Sequence, residues 1–129
     1  MSRPANSEPT VGELEILKVL WDVGPLSLSQ LCERIRTSRP VATTTVATML
    51  KIMLHKGLVT RNRVPRGSLW SAKMSRKSTT TRMLSRLVDR LFDGSAKTLV
   101  AHLIDQGRLT AAQRREILEL VRNGKGETK

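Results

Sequence analysis

The run Thr43-Thr44-Thr45-Val46-Ala47-Thr48-Met49-Leu50-Lys51-Ile52-Met53-Leu54-His55-Lys56-Gly57, followed at once by Leu58-Val59-Thr60-Arg61-Asn62-Arg63-Val64, decides the fold. Val46, Leu50, Met53 and Leu54 recur at helical spacing and predict a buried stripe on a helix from Thr43 to about Lys56. Thr44, Thr48, Lys51 and His55 fall on the opposite side, and Gly57 supplies the C-terminal stop. Leu58–Val64 alternates as a strand does, Pro65-Arg66-Gly67-Ser68 is a turn signal, and Leu69-Trp70-Ser71-Ala72 is the return strand. A helix running directly into a short basic hairpin is the second half of a winged helix-turn-helix.

The first half lies upstream. Thr10-Val11-Gly12-Glu13 has capping-box spacing, and Leu14, Leu17, Leu20 and Trp21, supported by Ile16, continue it as a helix that Gly24-Pro25 ends. Ser27-Leu28-Ser29-Gln30 is a second box, with Leu28, Leu31, Cys32 and Ile35 as the stripe of a short helix broken at Ser38-Arg39-Pro40. Downstream the chain reads as helical. Met83, Leu84, Leu87, Val88 and Leu91 mark a helix from near Ser78, Asp93-Gly94-Ser95 interrupts it, and Leu99, Val100, Leu103 and Ile104 mark another that Gly107 ends. Thr110-Ala111-Ala112-Gln113 is a third box, leading into Ile117, Leu118, Leu120 and Val121. The expected class is mainly α. A flexible tail (1–9) precedes a winged-helix domain with a small β-hairpin wing (10–74), then a helical dimerisation domain (75–123) and a second tail (124–129).

Charge points to a class of partner. The 129 residues carry 23 Lys and Arg against 11 Asp and Glu, a net charge of +12. Between Glu33 and Asp89, residues 34–88 hold thirteen basic residues and no acid. Such a field attracts polyanions through phosphate neutralisation and counterion release, whereas charge serving solubility alone is normally mixed in sign. Cys32 is the only cysteine, on the apolar stripe of its helix, which suits a small buried thiol and excludes an intrachain disulfide. No apolar run exceeds three residues, so no membrane span or signal-peptide core is expected and the chain is assigned to the cytoplasm. No catalytic set is visible: His55 and His102 have no Glu or Cys at metal-ligand spacing, and there is no glycine-rich phosphate loop. No enzyme activity, metal or cofactor is expected.

In a winged helix the second helix of the turn motif enters the major groove with its N-terminal residues at base edges. Thr43, Thr44 and Thr45 occupy those positions, and Thr48 lies one turn further along the same side. Hydroxyls bond phosphates or base acceptors, and Thr methyls can meet a thymine methyl; the alternative is that the three threonines only cap the helix. Lys51 and Lys56 are assigned to backbone phosphates, and Arg61, Arg63 and Arg66 on the hairpin to phosphates or the adjacent minor groove. His55, at the helix C-terminus, contacts phosphate or faces water. Trp21 is expected to pack under the DNA-binding helices. Trp70 is expected to anchor the hairpin, the other use of such an aromatic being to stack on nucleic acid.

The ordered set Thr10-Val11-Gly12-Glu13-Leu14-Glu15-Ile16-Leu17-Lys18-Val19-Leu20-Trp21, Gly24-Pro25, Thr43–Leu50, His55-Lys56-Gly57-Leu58-Val59 and Leu91-Phe92-Asp93-Gly94-Ser95 followed by Leu99-Val100 resembles the penicillinase-repressor family of bacterial regulators, from Thr10 to about Val121. The resemblance implies a winged-helix domain, a helical dimerisation domain and repression at inverted repeats in double-stranded operator DNA. In several members a membrane-bound sensor metalloprotease cleaves within the dimerisation domain. The matching position here is Ser95-Ala96, where the best-known members have Asn-Phe. Copper-responsive members end in a Cys-rich tail; this chain ends Gly124-Lys125-Gly126-Glu127-Thr128-Lys129, and copper sensing by that route is not expected.

A homodimer also follows from the residues. From Ser75 onward the short amphipathic helices have one aromatic, Phe92, and cannot close a core alone. Pairing across a two-fold axis would bury Leu84, Leu87, Val88, Leu91, Phe92, Leu99, Val100, Leu103, Ile104, Ile117, Leu118 and Val121. The expected function is a repressor that binds a pseudo-palindromic operator as a homodimer and is released by proteolysis or dimer disruption. The competing readings are an RNA-binding or ribosome-associated basic protein, and an adaptor that docks proteins through the winged fold.

Overall fold

The computed structural model describes residues 8–124, so residues 1–7 and 125–129 of the two expected tails lie outside the described residues. The chain divides into two compact units, Met1–Met83 and Leu84–Lys129, with the division inside a helix.

The first unit holds α1 (Val11–Val23), α2 (Leu28–Arg36), α3 (Thr43–Lys56), β1 (Val59–Val64), β2 (Gly67–Ala72) and the start of α4 (Arg76–Leu91). Two helices begin in the capping boxes the sequence predicts. The Thr10 and Ser27 side chains accept from the Glu13 and Gln30 amides, and the Glu13 and Gln30 side chains reach back to the cap amides. α3 runs from Thr43 to Lys56 as expected and closes on Gly57 in the left-handed region (φ 82°), where the Leu58 amide bonds the Met53 carbonyl at 2.9 Å. That closure turns the chain straight into β1, which pairs antiparallel with β2 in a register running from Val59 opposite Ala72 to Val64 opposite Gly67. β2 starts at Gly67, ahead of the expected Leu69, and the connection shrinks to Pro65-Arg66. α4 starts at Arg76 rather than near Ser78, because the Ser75 hydroxyl accepts from the Ser78 amide at 3.0 Å.

One core joins these elements: Ile16, Leu17 and Leu20 from α1, Leu31, Cys32 and Ile35 from α2, Val46, Leu50 and Met53 from α3, and Leu58, Val59 and Trp70 around the hairpin. Three expected core positions differ. Leu54 is exposed, because it lies at the edge of the stripe beside Ala47 and Thr43, and Leu14 and Leu28 are half-buried. Leu26 is buried though no periodicity marks it. It bridges Trp70 by two backbone bonds of 2.7 and 3.1 Å, adding a one-residue third strand to the wing. Trp70 anchors the hairpin as expected. Trp21 is half-buried against the core and donates its indole N–H to the Met74 carbonyl at 2.9 Å, so it also ties α1 to the chain leaving the wing.

The second unit contains the remainder of α4, α5 (Ala96–Asp105) and α6 (Ala111–Arg122). Ser95 caps α5 and Thr110 opens α6 with a capping box. Phe92 is half-buried, its ring 5.9 Å from that of His102. No residue of α5 or α6 is buried, and the only buried residue of α4 is Thr79, in the first unit. Among the described residues no helix is long and apolar enough to cross a membrane.

Candidate nucleic-acid interface

The site is built on α3 because one face of that helix is packed in the core and the opposite face is open. Val46, Leu50 and Met53 face the core. With 3.6 residues per turn, Thr44, Thr48, Lys51 and His55 then share the opposite face, and all four are exposed. One flank carries Thr43 and the other carries Thr45, Met49 and Lys56. The second flank lies close to α1: a Cβ on Gly12 would stand 2.8 Å from the Met49 Cε, so a larger residue there would make the Met49 side chain shift.

That closeness changes the role of Lys56. Its ammonium lies 2.8 Å from the Glu13 Oε1, with side chains only 12% and 5% exposed. The same oxygen accepts the Thr10 amide at 3.0 Å, so one carboxylate closes the α1 capping box and holds the C-terminal turn of α3. Lys56, expected from the sequence to meet a phosphate, is half-buried and paired with Glu13, a partner whose carboxylate would be costly to leave uncompensated there. Glu13 is legible in the sequence as a capping residue, but its second bond is set by the helix packing alone.

The threonines do not cap α3. Its N-cap is Ala42, with no side-chain capping bond. Thr43, Thr44 and Thr45 are all exposed, and the hydroxyl of Thr43 is engaged from outside the helix. Arg36, in the last turn of α2, donates from Nη2 to the Thr43 Oγ1 and from Nε to the Val41 carbonyl, each at 2.9 Å. Sequence reasoning missed Arg36; nothing in the spacing of two residues on different helices signals such a bond.

On the wing, Arg61 faces Trp70 across the register and lies over its ring at 5.3 Å, with its Nε donating to the Ser68 Oγ at 2.9 Å. Arg61 is therefore held along the hairpin, with its charge still exposed. Arg63, beside it, and Arg66, in the turn, are exposed. Arg39–Glu15, Lys56–Glu13 and Arg76–Asp22 are ion pairs among the described residues, and none of the three takes up Lys51, Arg61, Arg63 or Arg66. Cys32 is buried and free. Among the described residues, no group of three or more His, Cys, Asp or Glu side chains could hold a metal ion.

A helix-turn-helix backed by a paired hairpin, with an open polar face on its second helix and exposed cations on the hairpin, defines a winged-helix module. The chain belongs to the penicillinase repressor family, whose model matches residues 9–123, and is thus a transcriptional regulator. Among solved structures it is similar to a Lactococcus lactis ZitR mutant, at 16% identity and a TM-score of 0.46, over 100% of this chain and 82% of that one. No curated protein matches the chain.

Proposed function

We propose that the protein is a repressor that binds a pseudo-palindromic operator in double-stranded DNA as a homodimer in the cytoplasm. The observation that carries this reading is the exposed face of α3, where Thr44, Thr48 and Lys51 stand opposite the core stripe beside the exposed arginines of the wing. Hydroxyls on the helix can meet base edges and phosphates, and Lys51, Arg63 and Arg66 can neutralise backbone charge.

The second unit supports the dimer. Leu84, Leu87, Leu91, Val100, Ile104, Ile117, Leu118 and Val121 are between 36% and 68% exposed, and Val88, Phe92, Leu99 and Leu103 are half-buried. Apolar surface on this scale is stabilised by burial, and a two-fold mate offers a matching surface. Two reading heads then favour half-sites about one helical turn apart, roughly 34 Å, or a multiple of it.

Release follows from loss of the second head. Cleavage of the Ser95–Ala96 bond by a membrane-bound sensor metalloprotease would act there, since this bond joins the cap of α5 to its first residue and Ala96 is exposed. A fragment from induced cells whose N-terminus is Ala96 is the expected product.

Selection of bound duplexes from a random pool at near-physiological salt tests the main reading. Enrichment of an inverted repeat is expected. A flat pool, with binding that only fades as salt rises, would overturn operator recognition and bring structured RNA forward as the ligand.

A further inference from the structure

We propose that Arg36 is a positioning residue for operator recognition: from the helix before α3 it fixes the Thr43 hydroxyl as a hydrogen-bond donor toward DNA. This rests on the operator-binding reading above. A Thr hydroxyl has one hydrogen to donate and two lone pairs, whereas a guanidinium only donates. The 2.9 Å bond from Nη2 therefore makes the Thr43 Oγ1 an acceptor and leaves its hydrogen for a group outside the protein. Polarisation by the cation also strengthens the hydroxyl as a donor. The groups that answer it on a duplex are acceptors: a phosphate oxygen, guanine O6 or N7, or thymine O4.

The second bond gives the arrangement its rigidity. With Nε on the Val41 carbonyl and Nη2 on Thr43, the planar guanidinium is held at two points across the turn between α2 and α3. Both bonds brace the turn, and the one to Thr43 in addition makes an exposed hydroxyl at the start of α3 an acceptor from the protein side. A lysine offers one ammonium on a flexible stem and cannot reproduce the fork.

The test is a double-mutant cycle in the full-length chain, on the duplex enriched from the random pool, with Arg36→Ala, Thr43→Val and the double variant, and Arg36→Lys alongside. Thr43→Val and Arg36→Ala are each expected to lower affinity about tenfold, and the double variant also about tenfold, rather than the hundredfold of independent sites. Arg36→Lys should lose as much as Arg36→Ala, with the salt slope of all variants unchanged. Additive losses would overturn the proposal, because a bracing role through Val41 persists in the Thr43→Val background. An Arg36→Lys variant at full affinity, with the slope falling by about 1.8 in Arg36→Ala, about 0.9 for each head, would make Arg36 a phosphate contact and also overturn it. Thermal unfolding of each variant checks the fold, and the exposed Arg36→Lys is the variant read if Arg36→Ala unfolds. A wild-type chain that enriches no duplex overturns the operator reading and this proposal together; an enriched duplex with additive losses overturns only the role of Arg36.

Discussion

Replacing Lys56 with methionine keeps the length of the side chain and removes its charge from a site where the pair partner is almost wholly buried. Glu13 is then left as a carboxylate 5% exposed that keeps the bond from the Thr10 amide. Breaking a buried pair from one side costs about 3–5 kcal/mol. Two features reduce this. The Lys56 side chain is 12% exposed, so water reaches the edge of the site, and Glu13 lies in the first turn of α1, where the helix field favours an anion by roughly 0.3–1 kcal/mol. The expected loss is therefore about 2–4 kcal/mol. Urea unfolding followed by tryptophan fluorescence measures it in the correct place, because Trp21 and Trp70 both belong to the first unit. Adding Glu13→Gln should recover most of the loss. The amide oxygen keeps the capping bond to Thr10, and no unpaired charge remains. A loss below about 0.5 kcal/mol, together with a DNA-binding salt slope lowered by about 1.8 for the two heads, would refute this reasoning and return Lys56 to the phosphate backbone.

Other substitutions separate the proposed roles. Thr48→Ala is expected to relax base preference at one position per half-site at a cost of about 1–3 kcal/mol, read by repeating the duplex selection; an unchanged motif would remove Thr48 from the groove. Lys51→Ala should weaken all sequences alike and lower the salt slope by about 1.8, about 0.9 for each head of the dimer, and a changed motif with the old slope would contradict a phosphate contact. Leu87→Asp should dissociate the proposed dimer by setting an unpaired charge in its interface, and light scattering of an intact dimer would rule that out. Trp70→Ala should destabilise the first unit by about 3–5 kcal/mol, since it empties the anchor between Leu26 and the hairpin; urea unfolding followed by circular dichroism reads the change.

What was legible in the sequence was local. Capping boxes at Thr10, Ser27 and Thr110, the stripe of α3 and the stop at Gly57 are each encoded within a few residues, and the structure reproduces them. The exposed side of α3 was equally legible, since periodicity that buries Val46, Leu50 and Met53 must expose Thr44, Thr48 and Lys51. The features the sequence hides depend on partners brought in by folding. Lys56 reads as one more cation in an acid-free stretch until folding brings it to Glu13, and Leu26 reads as loop until Trp70 bonds to it. Arg36 looks like helix surface until the turn brings Val41 and Thr43 beneath its guanidinium.

The two units thus differ in how they are completed. The first closes its own core with thirteen buried apolar residues and satisfies its one deeply buried acid internally, so it can hold α3 rigidly with or without DNA. The second buries none of its apolar stripe, although its helices are capped as well as those of the first. Caps fix where a helix starts and stops but contribute only about a kcal/mol each, too little to order a short helix that has nothing to pack against. On the proposed reading that deficit makes control possible. If the second unit depends on a mate, a signal that separates or cuts it removes the effective concentration of the second head, and operator affinity falls without any change to Thr44, Thr48 or Lys51.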